Sequence, residues 1–220
     1  MSKALDLFCG VGGAGRGLKL AGFHVTGIDI QEQPLYPGDM FIKADAMEFP
    51  LHGFDFIWAS PPCQKFTQLN HGLNKSTTDY PDLIGLTRQR LIDSGALWVI
   101  ENVEQSTLND CFVLCGSMFG LGVTINDRWY QLRRHRWFES PMRLLVPPCS
   151  HSNPCIGIYG DHARDRSSIG HIHKRAKDLP NKLEIAREAM AMHWSDWHGL
   201  TQAIPPAYAA FIGKYALANL

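Results

Sequence analysis

The sequence predicts an α/β fold: a parallel sheet with helices on both faces. Three observations predict it. Short apolar runs recur through the first half of the chain. Helical stretches separate several of them, as crossovers between parallel strands require. The residues with chemical character gather where the runs end, which is where ligands bind in such sheets.

Lys3 to Phe8 is an apolar run that stops at a glycine cluster, as a buried strand does. Glycines at 10, 12, 13, 15 and 17 form a loop and open a helix that runs to about Ala21. Phe23 to Ile30 is a second strand, with an acid near its end. Met40 to Ala44 is a third, followed by Asp45. Phe54 to Ala59 is a fourth, broken by Ser60-Pro61-Pro62. Residues 64 to 80 are polar and read as loop. From Asp82 to Ser94 the period is helical: Leu83, Leu86, Arg90 and Leu91 lie against Asp82, Gln89 and Asp93. Ala96 to Ile100 is a fifth strand, leading into Glu101-Asn102. After Val123 the pattern becomes irregular. Leu183 to His193 is helical, and Pro205 to Leu217 opens a helix with proline in its first turn. This divides the chain into a main α/β domain over 1–140, a small irregular lobe over 141–182, and C-terminal helices over 183–220 that return to the main domain.

Composition excludes several classes. Hydrophobic residues at 45% and charged residues at 19% rule out wholesale disorder. The 220 residues suffice for a buried core. No apolar run approaches the roughly 20 residues of a spanning helix, and no leader precedes Leu5, so a soluble cytoplasmic protein is expected. Six cysteines are too few for a disulfide scaffold, so each thiol is read as core, ligand or nucleophile. The formal charge is zero, yet Gln131 to Lys182 carries ten Lys/Arg against four Asp/Glu, a net of +6. A neutral chain with one basic segment suggests a surface for a polyanion; a solvated charged face is the plain alternative.

Gly10-Val11-Gly12-Gly13-Ala14-Gly15 fits G-x-G-x-x-G between a strand and a helix, and Asp29 follows Gly10 by 19 residues. Such glycines let a ligand approach the backbone, and the acid can take two ribose hydroxyls. A dinucleotide and S-adenosylmethionine both suit this arrangement. Asp45 can accept from an adenine amino group, or be a solvent-facing loop acid. At the other end of the site, Cys63 follows two prolines directly after a buried strand. A stiff loop can hold a thiol over a pocket. Gln64, Lys65, Thr67 and Gln68 are polar, so the segment leaves the core. Glu101 ends the next strand, so thiol and carboxyl face one cleft, a nucleophile beside an acid.

These residues carry a family resemblance. Asp6-Leu7-Phe8-Cys9-Gly10-Val11-Gly12-Gly13, Pro61-Pro62-Cys63-Gln64 and Glu101-Asn102-Val103 resemble signature blocks of the cytosine-C5 DNA methyltransferases, in the family's order and spacing. Arg134 and Arg136 in Leu132-Arg133-Arg134-His135-Arg136 are similar to the arginines of its Gln-x-Arg-x-Arg block. Gln202-Ala203-Ile204-Pro205-Pro206 is similar to its closing Asn-Ala-Val-Pro-Pro block. The resemblance covers the chain except about 141 to 182. It implies a Rossmann-like S-adenosylmethionine-dependent methyltransferase sheet with a small recognition lobe, acting on double-stranded DNA. Cys63 would add to C6 of a flipped-out cytosine, and Glu101 would hydrogen-bond N3 and the exocyclic amine. Arg134 and Arg136 would hold phosphate or the flipped base. The cofactor residues implied are Asp6, Phe8, Gly10, Gly12, Asp29, Ile30, Asp45, Pro61, Gln202 and Ala203, with Asp29 on the ribose and Asp45 near the adenine.

The sequence departs from the family at Leu132 and Gln202, which stand where glutamine and asparagine are usual. The interval between the arginines and the closing block is short, so the recognition lobe is minimal, as in phage or prophage modification enzymes. That interval holds Cys149, His151, Cys155, His162, His171 and His173. C-x-H-x₃-C is not a standard ligand spacing, so these are read as polar loop residues near DNA and no metal is expected; a zinc site using some of them is the alternative. Cys111 and Cys115, at helical spacing, are expected in the core. Three other readings stand beside DNA methylation. They are the same chemistry on transfer RNA, a dehydrogenase that leaves Pro-Pro-Cys-Gln unexplained, and a non-catalytic DNA-binding relative.

Overall fold

A computed structural model describes residues 1–62, 83–104, 106–159 and 174–220. Cys63, the polar stretch 64–80, and His162, Arg164, Arg166, His171 and His173 lie outside the described residues. The first half of the chain follows the predicted alternation: β1 (Lys3–Leu7), α1 (Gly13–Ala21), β2 (His24–Asp29), β3 (Met40–Lys43), β4 (Phe56–Ala59), α2 (Leu83–Ser94) and β5 (Leu97–Asn102). These strands are parallel, in the order β3-β2-β1-β4-β5. The order reverses between β1 and β4, and that switch point opens a crevice at the carboxyl ends of the strands.

Period-two patterning sends alternate side chains to opposite faces. Ala4, Val25, Phe56, Trp58 and Val99 pack with Leu18, Tyr208 and Ile212 on one face. Leu5, Leu7, Ile28, Ile57 and Ile100 pack with Leu91 on the other. Both faces are therefore buried, as a parallel sheet requires.

Part of the region read as irregular after Val123 pairs into short strands. After β5 come β6 (Phe112–Leu114), β7 (Gly122–Ile125), β8 (Arg128–Leu132), β9 (Arg136–Glu139), β10 (Cys155–Gly157) and β11 (Lys174–Arg175). β9 and β6 extend the first sheet antiparallel beyond β5, completing seven strands. The others form a second sheet, β11-β10-β8-β7. The expected boundary at 140 therefore does not divide the sheets, since β7 and β8 precede it. β7 and β8 make a two-residue hairpin through Asn126 and Asp127, both at positive φ (49° and 60°), the loop whose twist matches that of the flanking strands.

The C-terminal elements are α3 (Lys182–Met190), α4 (Trp197–Gln202) and α5 (Pro206–Leu217). A core of Val123, Leu132, Ile156, Ala186, Met190 and Leu200 joins the second sheet to α3 and α4. Helix α5 returns to the main domain against α1. Gly13 and Gly17 permit this approach, because a Cβ on either would strike the Ile204 or Pro206 carbonyl. Cys111 and Cys115 are not on a helix: Cys111 is exposed, Cys115 is buried, and β6 runs between them. No helix among the described residues is long and apolar enough to cross a membrane.

Candidate active site

A cavity of about 600 Å³ opens at the carboxyl ends of β1, β2, β4 and β5. It brings together Asp6, Phe8, Gly10, Asp29, Ile30, Asp45, Pro61, Glu101, Arg136, Gln202 and Ala203. Gly12 and Arg134 do not line it. Cys63 is outside the described residues, one position beyond the lining residue Pro62.

At one end lies the loop after β1. Phe8 adopts φ 56°, a left-handed conformation that a phenylalanine rarely takes and that costs on the order of 1–3 kcal/mol. The Asp29 carboxylate fixes this loop to β2: Oδ2 accepts from Gly10 N at 2.9 Å and Oδ1 from Gln31 N at 2.9 Å. Asp45 Oδ1 accepts from Met47 N at 2.8 Å, which holds the acid at the cavity edge. The glycines divide their labour. A Cβ on Gly10 would meet open space, whereas one on Gly12 or Gly15 would strike Tyr36. Gly10 alone of the three leaves room for a ligand; the others admit an aromatic lid from the protein itself.

Tyr36 was not singled out in the sequence. Its only signal there is an aromatic residue in the Pro34-Leu35-Tyr36-Pro37-Gly38 loop. Its hydroxyl donates to Asp6 Oδ2 at 3.0 Å. Asp6 is fully buried, and its Oδ1 has no hydrogen-bond partner among the described residues. Burial pushes the carboxyl up to about 7, against the hydrogen bonds from Tyr36 and the Gly15 backbone.

At the other end Glu101 closes β5. Arg136, on neighbouring β9, places Nε 3.0 Å from Glu101 Oε1. Ser60 lies beside Glu101 and favours its charged form, and Trp58 Nε1 donates to Ser60 Oγ at 2.9 Å. Burial outweighs both partners and raises Glu101 above the ordinary glutamate value. Asn102 Nδ2 donates to the Pro61 carbonyl at 3.0 Å, tying the proline loop to the strand that carries Glu101.

Arg134 corrects an expectation. It is fully buried. Its Nη1 donates to the Ile158 carbonyl at 2.7 Å, Nη2 to Thr201 at 2.9 Å, and Nε to Ala203 at 2.9 Å. Its own carbonyl accepts from Tyr208 at 2.6 Å. A guanidinium so engaged holds the end of α4 against β10 and is not presented to phosphate or base. Gln202 sits exposed at the cavity edge, its Nε2 3.5 Å from Thr201 Oγ1.

The class defined by these features is an α/β fold with a parallel-rich sheet, one antiparallel strand (β9) inside one edge and a cavity at the switch point. Among solved structures, the chain is similar to a protein described as a DNA modification methyltransferase encoded within an Escherichia coli prophage. The identity is 15% and the TM-score 0.60, with 100% of this chain and 99% of that one covered. A DNMT2 variant of Spodoptera frugiperda matches at 13% identity and TM-score 0.57, covering 99% and 100%. The Entamoeba histolytica methyltransferase EhMeth matches at 14% and 0.56, covering 100% and 98%. No protein-family model and no curated protein matches the sequence, so the likeness is one of fold.

Proposed function

We propose that this protein transfers a methyl group from S-adenosylmethionine to C5 of cytosine in double-stranded DNA. The observation that carries the reading is that one cavity holds both halves of such a site. Asp6, Phe8, Gly10, Asp29 and Asp45 line one part, and Glu101 and Arg136 line the other. The cofactor fits on two counts. Asp6 Oδ1, which has no hydrogen-bond partner among the described residues, suits a cationic group, and the open space at Gly10 admits a ligand against the backbone. Asp29 would hold the ribose hydroxyls and Asp45 the adenine amine. When bound, S-adenosylmethionine supplies a methyl group activated by its sulfonium.

The protein's own residues make cytosine reactive enough to take it. The Cys63 thiolate adds to C6, and the displaced ring electrons make C5 a nucleophile. Glu101 in its protonated form donates to N3 as charge develops on the ring. Burial raises its pKa, which favours the protonated form, and Arg136 fixes its orientation. After C5 takes the methyl it loses its proton, Cys63 leaves, and the ring is restored. The target atom is inaccessible in a stacked duplex, so the base is flipped out.

Incubation with labelled S-adenosylmethionine and duplex DNA, followed by nucleoside analysis, tests the reading. Label in 5-methylcytosine is expected. Cys63→Ala should abolish transfer while retaining cofactor, and duplex containing 5-fluorocytosine should trap the wild-type protein. Label in transfer RNA but not DNA would replace the substrate. Cofactor binding without transfer to either would mark a non-catalytic relative. Calorimetric affinity for a nicotinamide dinucleotide and none for S-adenosylmethionine would overturn the assignment.

A further inference from the structure

We propose that Cys115, His135, Cys149 and His151 form a zinc site that pins the segment over 140–154 to the arginine-bearing turn beside the cavity. The four side chains come from three separate parts of the chain. Cys115 follows β6 and is buried. His135 lies between β8 and β9, flanked by Arg134 and Arg136. Cys149 and His151 lie in residues 140–154, which form neither strand nor helix. Their ligand atoms all fall within 4.8 Å of one another.

The distances suit a metal. Cys149 Sγ is 3.4 Å from His135 Nε2 and 3.2 Å from His151 Nε2, and Cys115 Sγ is 3.4 Å from His151 Nε2. A tetrahedral zinc with Zn–S near 2.3 Å and Zn–N near 2.0–2.1 Å sets S···N separations of about 3.5 Å. Two thiolates and two imidazoles are a familiar structural zinc set. The imidazole rings lie 5.1 Å apart at 80°, converging on the cluster and not stacking.

Hydrogen bonding alone does not account for the arrangement. His151 Nε2 faces both sulfurs, yet a ring nitrogen has either one proton or one lone pair. Cys149 Sγ likewise faces two imidazole nitrogens and the Ser117 hydroxyl at 3.4 Å, three polar neighbours around one weak donor and weak acceptor. An ion at the centre satisfies all four ligands at once. The neighbouring Cys155, the third residue of the C-x-H-x₃-C run, is not a member; its Sγ donates to the Asn153 carbonyl at 3.4 Å.

The site has a structural consequence. A stretch of fifteen residues without strand or helix has few backbone bonds to order it, and a metal tie supplies the missing constraint. Ligation of His135 also fixes the backbone between Arg134 and Arg136. The inference does not depend on the reading of the cavity, because its test measures metal and not methyl transfer.

The test uses the full chain, produced without a polyhistidine tag in zinc-supplemented medium and purified under reducing, chelator-free conditions. Metal analysis should find one equivalent of zinc per chain. Cys149→Ser and His151→Ala should lose it, and Cys111→Ser, at an exposed cysteine outside the cluster, should keep it. After zinc removal, Co²⁺ should give sulfur-to-cobalt charge-transfer absorption and the intense visible bands of a tetrahedral site, absent from Cys149→Ser. Cys149 is exposed, so this variant remains informative where Cys115→Ser fails to fold. Wild-type protein with neither zinc nor cobalt bands would overturn the proposal. So would metal retained by Cys149→Ser, or a Cys115–Cys149 disulfide in the reduced preparation.

Discussion

Arg136 places its Nε 3.0 Å from Glu101 Oε1 across the antiparallel pair β5 and β9. The arginine favours the carboxylate, yet burial keeps Glu101 above its ordinary pKa. The pair therefore holds an oriented carboxyl that retains its proton at higher pH than a solvated one would.

A rate that needs protonated Glu101 should fall as pH rises through that raised value. Arg136→Ala removes an interaction that favours the carboxylate, so the falling limb should move to higher pH even as the rate drops. Glu101→Gln should lose more in kcat than in nucleic-acid affinity, by about 10²-fold or more, because its contact strengthens with developing charge. The pH profiles of transfer for the three proteins check this. An unmoved limb in Arg136→Ala would assign the titration to another group.

Asp6 gives a prediction about stability. Its folded value of about 7 lies above the ordinary 3.8, so folding takes up a proton between those pH values. Stability contributed by this group is full below 3.8 and is lost as pH rises to about 7. At about 1.4 kcal/mol per unit, the loss is on the order of 4 kcal/mol at alkaline pH. Asp6→Asn should therefore raise the unfolding free energy at pH 8 more than at pH 5, while weakening S-adenosylmethionine. Denaturant titrations at the two pH values measure the first effect, and calorimetry the second. A pH-independent difference would show that Asp6 does not titrate in this range.

Arg134 should behave as a structural residue. Arg134→Lys replaces a fork by a single ammonium and leaves carbonyls of Ile158, Thr201 and Ala203 short of donors. Each unpaired buried carbonyl costs about 1–3 kcal/mol, so a loss of roughly 3 kcal/mol or more is expected. The salt dependence of DNA binding should be unchanged, since no phosphate contact is removed. A salt slope reduced by about one would instead place Arg134 on a phosphate.

The target sequence should be short. The interval over 141–182 is small, and its Arg143, Lys174, Arg175 and Lys177 suit phosphate contacts, which carry no sequence information. One well-placed bidentate side chain reads about one base pair, for about 1–3 kcal/mol. Methylation in a context of about two or three base pairs is expected at that scale. Bisulfite sequencing of DNA treated with the purified protein measures this, and modification confined to one longer site would refute it.

The strand and helix pattern through β5 is legible in the sequence because each element carries its own periodicity and stop signal. β1 ends at Gly10 and its neighbours, β2 at Asp29, β4 at Ser60-Pro61-Pro62. Parallel alternation then puts those ends on one side, so Asp29, Asp45 and Glu101 can be grouped before any coordinate is seen. From Gly122 onward the strands are two to five residues long, and β8 and β9 mix charged with aromatic side chains, so they lack a period of their own. Apart from the β7–β8 hairpin, pairing with distant partners makes them strands: Ile156 with Leu132, Glu101 with Phe138.

Sequence alone determined which residues could do chemistry; tertiary structure decided which of them do the same job. Arg134 and Arg136 are alike in sequence, yet one is buried among carbonyls and the other faces Glu101. Gly10, Gly12 and Gly15 form one motif, yet Tyr36 fills the space beside two of them. Cys115, His135, Cys149 and His151 have no recognisable spacing and meet only because three segments converge. Periodicity and turn chemistry are local properties that a sequence displays directly. Burial, ion pairing and metal geometry arise between residues far apart in the chain, and only strand pairing and tertiary packing bring those residues together.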